Sequence, residues 1–405
     1  KSENIDIQIK SKDLDKLFKY RDKAIQNGVI SKSLKKYFKG ILIYNKEEIP
    51  IKIRLKGDWI DHLSGDKWSF RIKILGDKNF KGMRAFSIQH PKTRSFLKEW
   101  IMHKIFRDEN ILTTRYGYIT ASLNGKNLGI YAYEEHFSKE LPKYNNRKEA
   151  PILKFNEEGV WETRLNNPKN RIFYPYFEAS EIIPFQKNSV FSSDSLKKDF
   201  EKGLILMTKY KEFNGNLEDL FDLNYTAKLY ALYDIGKIRH SYHWHNQRFY
   251  YNPKTHKLEH IAFDCYAGIE EGIEDVIYGY SDKISFDFKM TYLSKQFFNN
   301  ELFVSNYKKF LNKFSEQEYL TSIVSKYKLS SDSLNTILKS EFPDYEFDIS
   351  YLIDNAKAIR ELLPSYTSNY EFLVKPTKYD YASIGNNYFP SIGIKANKHV
   401  NDKNE

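Results

Sequence analysis

One cysteine, Cys265, in 405 residues leaves nothing to pair with in an intramolecular disulfide and excludes a multi-cysteine zinc site. Cysteine usage does not fix the compartment. Apolar runs are short as well. None approaches the ~20 residues that a membrane-spanning helix requires, so no transmembrane segment is expected, and no signal peptide opens the chain. It begins KSENIDIQIK without an initiator Met, which suggests that an upstream signal or anchor has been removed. Low-complexity tracts and internal repeats are missing too. No nucleic-acid-binding motif is found, and basic residues run along the whole chain instead of gathering in one stretch, so nucleic acid is not an expected partner.

What the chain does have is aromatic and basic character. It carries 31 Tyr, 29 Phe and a formal charge of +11, with a pI near 9.1 and a mean hydropathy of −0.64. This describes a globular protein with amphipathic surfaces that favours anionic partners, such as nucleotide phosphates or an anionic cell surface. The length allows two domains or one large two-lobed unit.

Four segments are expected. Residues 1–35 read as an N-terminal extension: Ile5, Ile7 and Ile9 alternate in a short strand, and a helix from Ser11 closes at Gly28. Residues 36–150 read as a β-rich lobe. Two strands flank Asn45–Glu48, then Phe70, Ile72 and Ile74 share the core face of a strand whose other face carries Arg71 and Lys73. A further strand covers Arg84–Gln89, and a helix with Phe96, Trp100, Ile101, Ile105 and Phe106 at helical spacing opens at Thr93. A hairpin follows across Asn124-Gly125, with a loop expected to exceed two residues. Residues 151–363 read as mainly helical, with an irregular stretch at 156–188 and separate helices at Glu316–Lys328 and Ser331–Phe342. The tail at 364–405 reads as extended. A helix inserted into an antiparallel sheet indicates an α+β fold.

Within the helical half lies HSYHWHNQRFYYNPKTHKLEHIAFDCYAG (His240–Gly268), a β-hairpin with polar groups at both ends. Antiparallel pairing brings Asn246 and Asp264 to one rim, where two oxygen ligands suit a hard cation holding phosphates. A β lobe with one helix, a hinge at 137–150 and a helical lobe with an inserted hairpin is the plan of protein-kinase-like enzymes. Such an enzyme needs a strand cation for the phosphates, a helix acid to hold that cation, and an Asp and often an Asn for Mg2+. Lys73 or Arg71, Glu99, Asp264 and Asn246 fill those places.

The same residues resemble the CotH kinases. The matching pieces are KWSFRIKI (Lys67–Ile74), RSFLKEWIMHKIF (Arg94–Phe106), SLNGKNLGIYAYEE (Ser122–Glu135), HNQRFYYNP (His245–Pro253) and IAFDCYAG (Ile261–Gly268), all in family order. The resemblance implies a two-lobed protein-kinase-like fold and transfer of phosphate from ATP, with Mg2+ or Mn2+, to protein Ser or Thr or another hydroxyl. It also implies an extracytoplasmic or cell-surface setting with a secreted or surface protein as substrate. Asp264 would match the metal-binding Asp, with Asn246 as second ligand. Glu134 or Glu135 would match the acid closing the LNG hairpin, and Glu99 with Lys73 or Arg71 the ion pair facing the phosphates. The chain departs from the family where an Asp commonly precedes the aromatic strand, because His243 and His245 stand there and Asp234 is the nearest upstream acid. Either Asp234 is brought round, or a histidine transfers the proton, or the protein is a catalytically inactive kinase-fold scaffold or surface-binding protein. A different reading of His240, His243 and His245 is a transition-metal site.

Overall fold

The computed structural model describes residues 3–166, 177–266, 276–278 and 288–366. Seven strands form a closed barrel: β1 (Asn4–Ile9), β2 (Phe38–Tyr44), β3 (Glu47–Leu55), β4 (Phe70–Ile74), β5 (Ala85–Gln89), β6 (Tyr116–Leu123) and β7 (Lys126–Glu135), in the order β1-β2-β3-β4-β5-β7-β6. Alternation explains the interior. Ile5 and Ile7, Ile51, Ile53 and Leu55, and Phe70 and Ile72 all face inward and are buried, and Ile53 pairs with Ile72 and Leu55 with Phe70 across β3 and β4.

The expected β-rich region is thus present, as a closed barrel and not an open sheet. Closure depends on β1, which runs antiparallel to β2 and parallel to β6, so the segment set apart as an extension supplies a wall. Helix α1 (Ser11–Asn27) follows it and ends at Gly28, whose φ of +71° gives the left-handed C-terminal turn. Asn124-Gly125 is a two-residue loop, shorter than expected: both residues take positive φ, which suits the strand twist of a tight hairpin. The Asn124 side chain also bonds both the N–H and the C=O of Ile9, at 2.8 and 2.9 Å, fastening β1 to this hairpin.

Helix α2 (Leu97–Asp108) begins at Leu97 and not at Thr93. Pro91–Arg94 is a 3-10 turn, and Ser95 and Phe96 take positive φ. The Phe96 ring stacks on Tyr345 at 4.1 Å, whose hydroxyl accepts from the Leu97 N–H. A tertiary contact therefore sets the start of the helix.

The helical half comprises α3 (Glu140–Tyr144), α4 (Glu158–Asn166), α5 (Lys187–Phe191), α6 (Asp194–Lys211), α7 (Leu217–Leu220), α8 (Leu223–Ile235), α9 (Phe288–Lys295), α10 (Glu301–Ser315), α11 (Gln317–Lys339) and α12 (Tyr351–Leu362). Four antiparallel strands are set into it: β8 (Ile152–Phe155), β9 (Ile182–Pro184), β10 (Arg248–Asn252) and β11 (Lys257–His260), in the order β11-β10-β8-β9. Two expectations change here. The stretch at 156–188 contains α4 and β9, and the two helices expected at 316–342 are one, because Leu329-Ser330 contains neither Gly nor Pro to break it. The tail expected to be extended opens with a 3-10 turn at Leu363–Ser365 and lies outside the described residues from 367 on, as does most of the acidic loop after Asp264.

There are two hydrophobic cores, one inside the barrel and one in the helical half. Helix α2 contributes Leu97, Ile101 and Phe106 to the helical core and so sits between them. Beyond α11, Glu341 bridges back to the barrel: it pairs with Lys67 at 2.6 Å and accepts from the Ile130 N–H at 2.6 Å. Gly129 permits this approach. Its φ is +77°, and a Cβ there would run into the Glu341 carboxylate. Gly129→Ala is expected to cost about 2 kcal/mol from backbone strain and the broken bridge. Urea denaturation checks it, and an unchanged midpoint would contradict the role given to this contact.

Candidate functional site

A cavity of about 650 Å³ lies where the end of the barrel meets the second sheet. The barrel supplies Lys56, Arg71 and Glu134 to its wall, the 3-10 turn before α2 supplies Arg94, and the helical half supplies His245 and Asp264. Residues far apart in sequence converge here because β3 and β7 end, and β4 begins, on the side where β10 starts and the chain leaves β11.

Asp264 is held from every side. Its φ is +56°, a conformation uncommon outside glycine though better tolerated by Asp and Asn. Ser241 Oγ donates to the carbonyl of Phe263 at 3.0 Å, and His240 Nδ1 lies 3.0 Å from the carbonyl of Asp264 itself. The next two backbone N–H groups, of Cys265 and Tyr266, donate to Glu99 Oε2 at 3.0 and 3.1 Å. Arg94 makes an ion pair with the carboxylate. A strained residue this over-determined marks a site where direction matters more than local stability.

The cations differ from those expected. Lys73 alternates with the buried Ile72 and Ile74, so it points outward, is exposed and lies over the Tyr37 ring at 5.0 Å. Arg71 lines the cavity, and its Nε, although buried, makes no hydrogen bond. Lys56, one residue past β3, is buried. Its ammonium donates to Gln89 Oε1 and, at 2.9 Å, to Glu134 Oε2. Burial, with the Arg94 and Arg71 charges, outweighs the attraction of Glu134 and pushes the Lys56 ammonium down to about 8. The Glu134 carboxyl shows the reverse balance: burial acts to raise it, yet Lys56 and Arg94 hold it down at about 2. The pair stays ionised at neutral pH, with cation and carboxylate fixed against the cavity wall.

The other expected acids are placed differently. Glu135 reaches the cavity wall, but its carboxylate is engaged by Arg115 at 2.6 and 3.0 Å. Glu99 is fully buried and meets neither Lys73 nor Arg71. It bonds His103 Nε2 at 3.0 Å and holds the backbone after Asp264. Its role in the site is therefore to orient the Asp264 turn. Asp234 is fully buried in α8, paired with Arg239 at 2.8 Å and hydrogen-bonded by the Tyr278 N–H and the Tyr307 hydroxyl. It does not line the cavity.

Asn246 comes to the same rim as Asp264, within a 3-10 turn and not in a strand. Its amide nitrogen lies 3.1 Å from His240 Nε2 and donates to the His240 carbonyl, leaving its carbonyl oxygen as the free end. Asp264 Oδ1 has no aligned donor despite the Arg94 charge beside it. One carboxylate and one amide oxygen fit a hard cation that takes its remaining ligands from phosphates and water. His243 and His245 lie beside this rim. Burial, then the His240 charge, drives His243 down to about 3, and burial drives His245 well below the usual imidazole range. Both are neutral, and both are weak bases.

Sequence reading passed over Lys56 and Arg94. A signal for Lys56 existed in KGD (Lys56–Asp58), where Gly57 adopts φ +101° and a Cβ would strike the His62 ring. Such a glycine immediately after a lysine indicates a tight turn that aims the lysine inward.

No curated protein matches the chain. A family model described as CotH kinase protein matches residues 53–358, which is most of the chain and includes every cavity residue discussed above. The chain belongs to the CotH kinase family.

Proposed function

We propose that the chain transfers the terminal phosphate of ATP to a hydroxyl acceptor, protein Ser or Thr or another alcohol, with Mg2+ or Mn2+ held by Asp264 and Asn246. The observation that carries this reading is the convergence of one strained, over-determined carboxylate with three buried or half-buried cations, Lys56, Arg71 and Arg94, around a nucleotide-sized cavity. The metal, when bound, neutralises phosphate charge and fixes the phosphates against the Asp264 rim. Lys56 and Arg71 bind phosphate oxygens, Glu134 orients Lys56, and Glu99 keeps the Asp264 turn in place. Phosphoryl transfer is catalysed chiefly by positioning and electrostatic stabilisation, so the lack of an aspartate base at the His243–His245 position does not exclude turnover.

Arg71 is the cation of its strand assigned here to phosphate, and this can be tested directly. Arg71→Met should raise the KM for ATP about 10- to 100-fold, the worth of one hydrogen bond to a charged group. Lys73→Met should leave it within about 2-fold, since an exposed side chain away from the cavity has little to lose. The converse pattern would remove Arg71 from the site. A second reading is favoured by the Arg94–Asp264 pair and the inward-turned Asp234: a scaffold that binds nucleotide without transferring phosphate. It requires nucleotide binding with no turnover, and measurable transfer excludes it.

A further inference from the structure

We propose that His240, His243 and His245 form a three-imidazole site for a borderline transition-metal dication of the Zn2+ or Co2+ type, adjacent to but distinct from the hard-cation position at Asp264. The proposal does not rest on the kinase reading. Its basis is local geometry: one ligand atom from each of the three rings lies within 4.8 Å of the others, and the ring centroids are 5.1, 5.6 and 6.1 Å apart. Metal–nitrogen bonds of about 2.0–2.1 Å need the donors about 3.3 Å apart in a tetrahedron, which side-chain rotation alone can supply.

The backbone explains the cluster. Two successive 3-10 turns, His240–Tyr242 and Trp244–Asn246, share His243 as their junction. Tyr242 and Trp244 are anchored in the core, while His243 and His245 remain half-buried. The two turns thus present His240, His243 and His245 together over six residues.

The surroundings also fit ligation. His240 Nδ1 donates to the Asp264 carbonyl at 3.0 Å, and the Asn246 amide nitrogen lies 3.0 and 3.1 Å from the two nitrogens of the same ring. The bond to the carbonyl puts the lone pair on Nε2, where a metal would replace the Asn246 amide, and an outer carbonyl is the usual group that orients a metal-binding histidine. His245 Nδ1 is buried without a hydrogen-bond partner, an orphan that a metal would satisfy. Imidazole donors select Zn2+ or Co2+ over Mg2+, which prefers oxygen. Three nitrogens leave a fourth position open to water or to an oxygen of a bound molecule.

The test uses the full chain, stripped with a chelator and titrated with Co2+, whose visible absorption reports nitrogen coordination, followed by competition with Zn2+. One equivalent should bind, and excess Mg2+ should not displace it. His243→Asn and His245→Gln should each weaken binding at least about 100-fold, whereas Asp264→Asn should change it less than about 10-fold. A second readout avoids dependence on the variants' folding: Zn2+ should protect these histidines of the unmodified chain from diethyl pyrocarbonate, read by peptide mass. The proposal is overturned by no stoichiometric binding, by binding that survives both histidine variants, by binding lost in Asp264→Asn alone, or by modification of the three histidines that Zn2+ does not reduce.

Discussion

Asp264→Asn is expected to lower the rate of phosphate transfer by about 1000-fold or more while the chain remains folded. The rate effect follows from removing the carboxylate assigned to the hard cation, since a positioned metal supplies several kcal/mol of charge stabilisation. Stability should fall because Arg94 loses its ionic partner in a buried setting, a change that costs about 3 kcal/mol when one member of a pair is deleted. Asparagine limits the damage, as it tolerates the left-handed backbone that Asp264 adopts and leaves the main-chain bonds to His240 and Glu99 in place. Asp264→Ala should be less stable by about a further 1 kcal/mol, from strain at positive φ. Phosphate transfer assayed over a range of Mg2+, alongside thermal unfolding, separates the two effects. Full activity in a folded Asp264→Asn protein would remove this residue from the chemistry.

The second large effect concerns Lys56. Lys56→Met should weaken nucleotide binding about 100-fold, the worth of a strong charge-assisted contact to phosphate, and leave Glu134 facing Arg94 with one cation fewer. Its distinguishing signature is in pH. The folded ammonium titrates near 8, against an ordinary value of 10.5. Between those values the unfolded chain binds the proton and the folded chain does not, so wild-type stability rises with pH across this window, by up to about 3 kcal/mol. Nucleotide affinity moves the opposite way, since the folded protein loses the Lys56 charge as pH passes 8. The groups facing Lys56 are Glu134, Arg94 and Arg71, and Glu134 stays ionised throughout the window because it is held near 2. In Lys56→Met both trends should flatten. Denaturant melts and nucleotide titrations from pH 7 to 10 measure them, and parallel profiles in wild type and variant would show that Lys56 neither carries the charge nor contacts the phosphates.

The acid limb follows from Glu134. A carboxyl depressed in the fold contributes stability that is complete above its ordinary value of 4.5 and is lost as pH falls towards 2. Glu134→Gln should therefore remove part of the pH dependence of unfolding below pH 5, which acid titration of the two proteins would reveal.

Much of the fold could be read directly, because alternation and helical spacing are local properties. Ile5, Ile7 and Ile9, or Phe70, Ile72 and Ile74, announce a strand and its buried face without help from the rest of the chain. Partner choice is not announced. Nothing in β1 says that it will pair in parallel with β6 more than a hundred residues later, so a barrel could be read only as a sheet. Boundaries set by distant contacts were equally hidden, as at α2, whose start is fixed by Tyr345.

The site divides along the same line. Sequence by itself singled out Asp264 as the acid that ends the apolar run IAF, although the second hairpin strand stops earlier, at His260. It also brought His240, His243 and His245 together, since six residues cannot spread far through two tight turns. Which cation, and which acid, serves Asp264 was decided only in three dimensions. Arg71 and Lys73 share one strand face and differ in exposure only because the rest of the molecule packs over one of them. Lys56 meets Glu134 across 78 residues, and Glu99 reaches the Cys265 amide across 166. A side chain's chemistry is written at its own position, but its charge state and its partner depend on what the closed barrel and the helical core bury beside it.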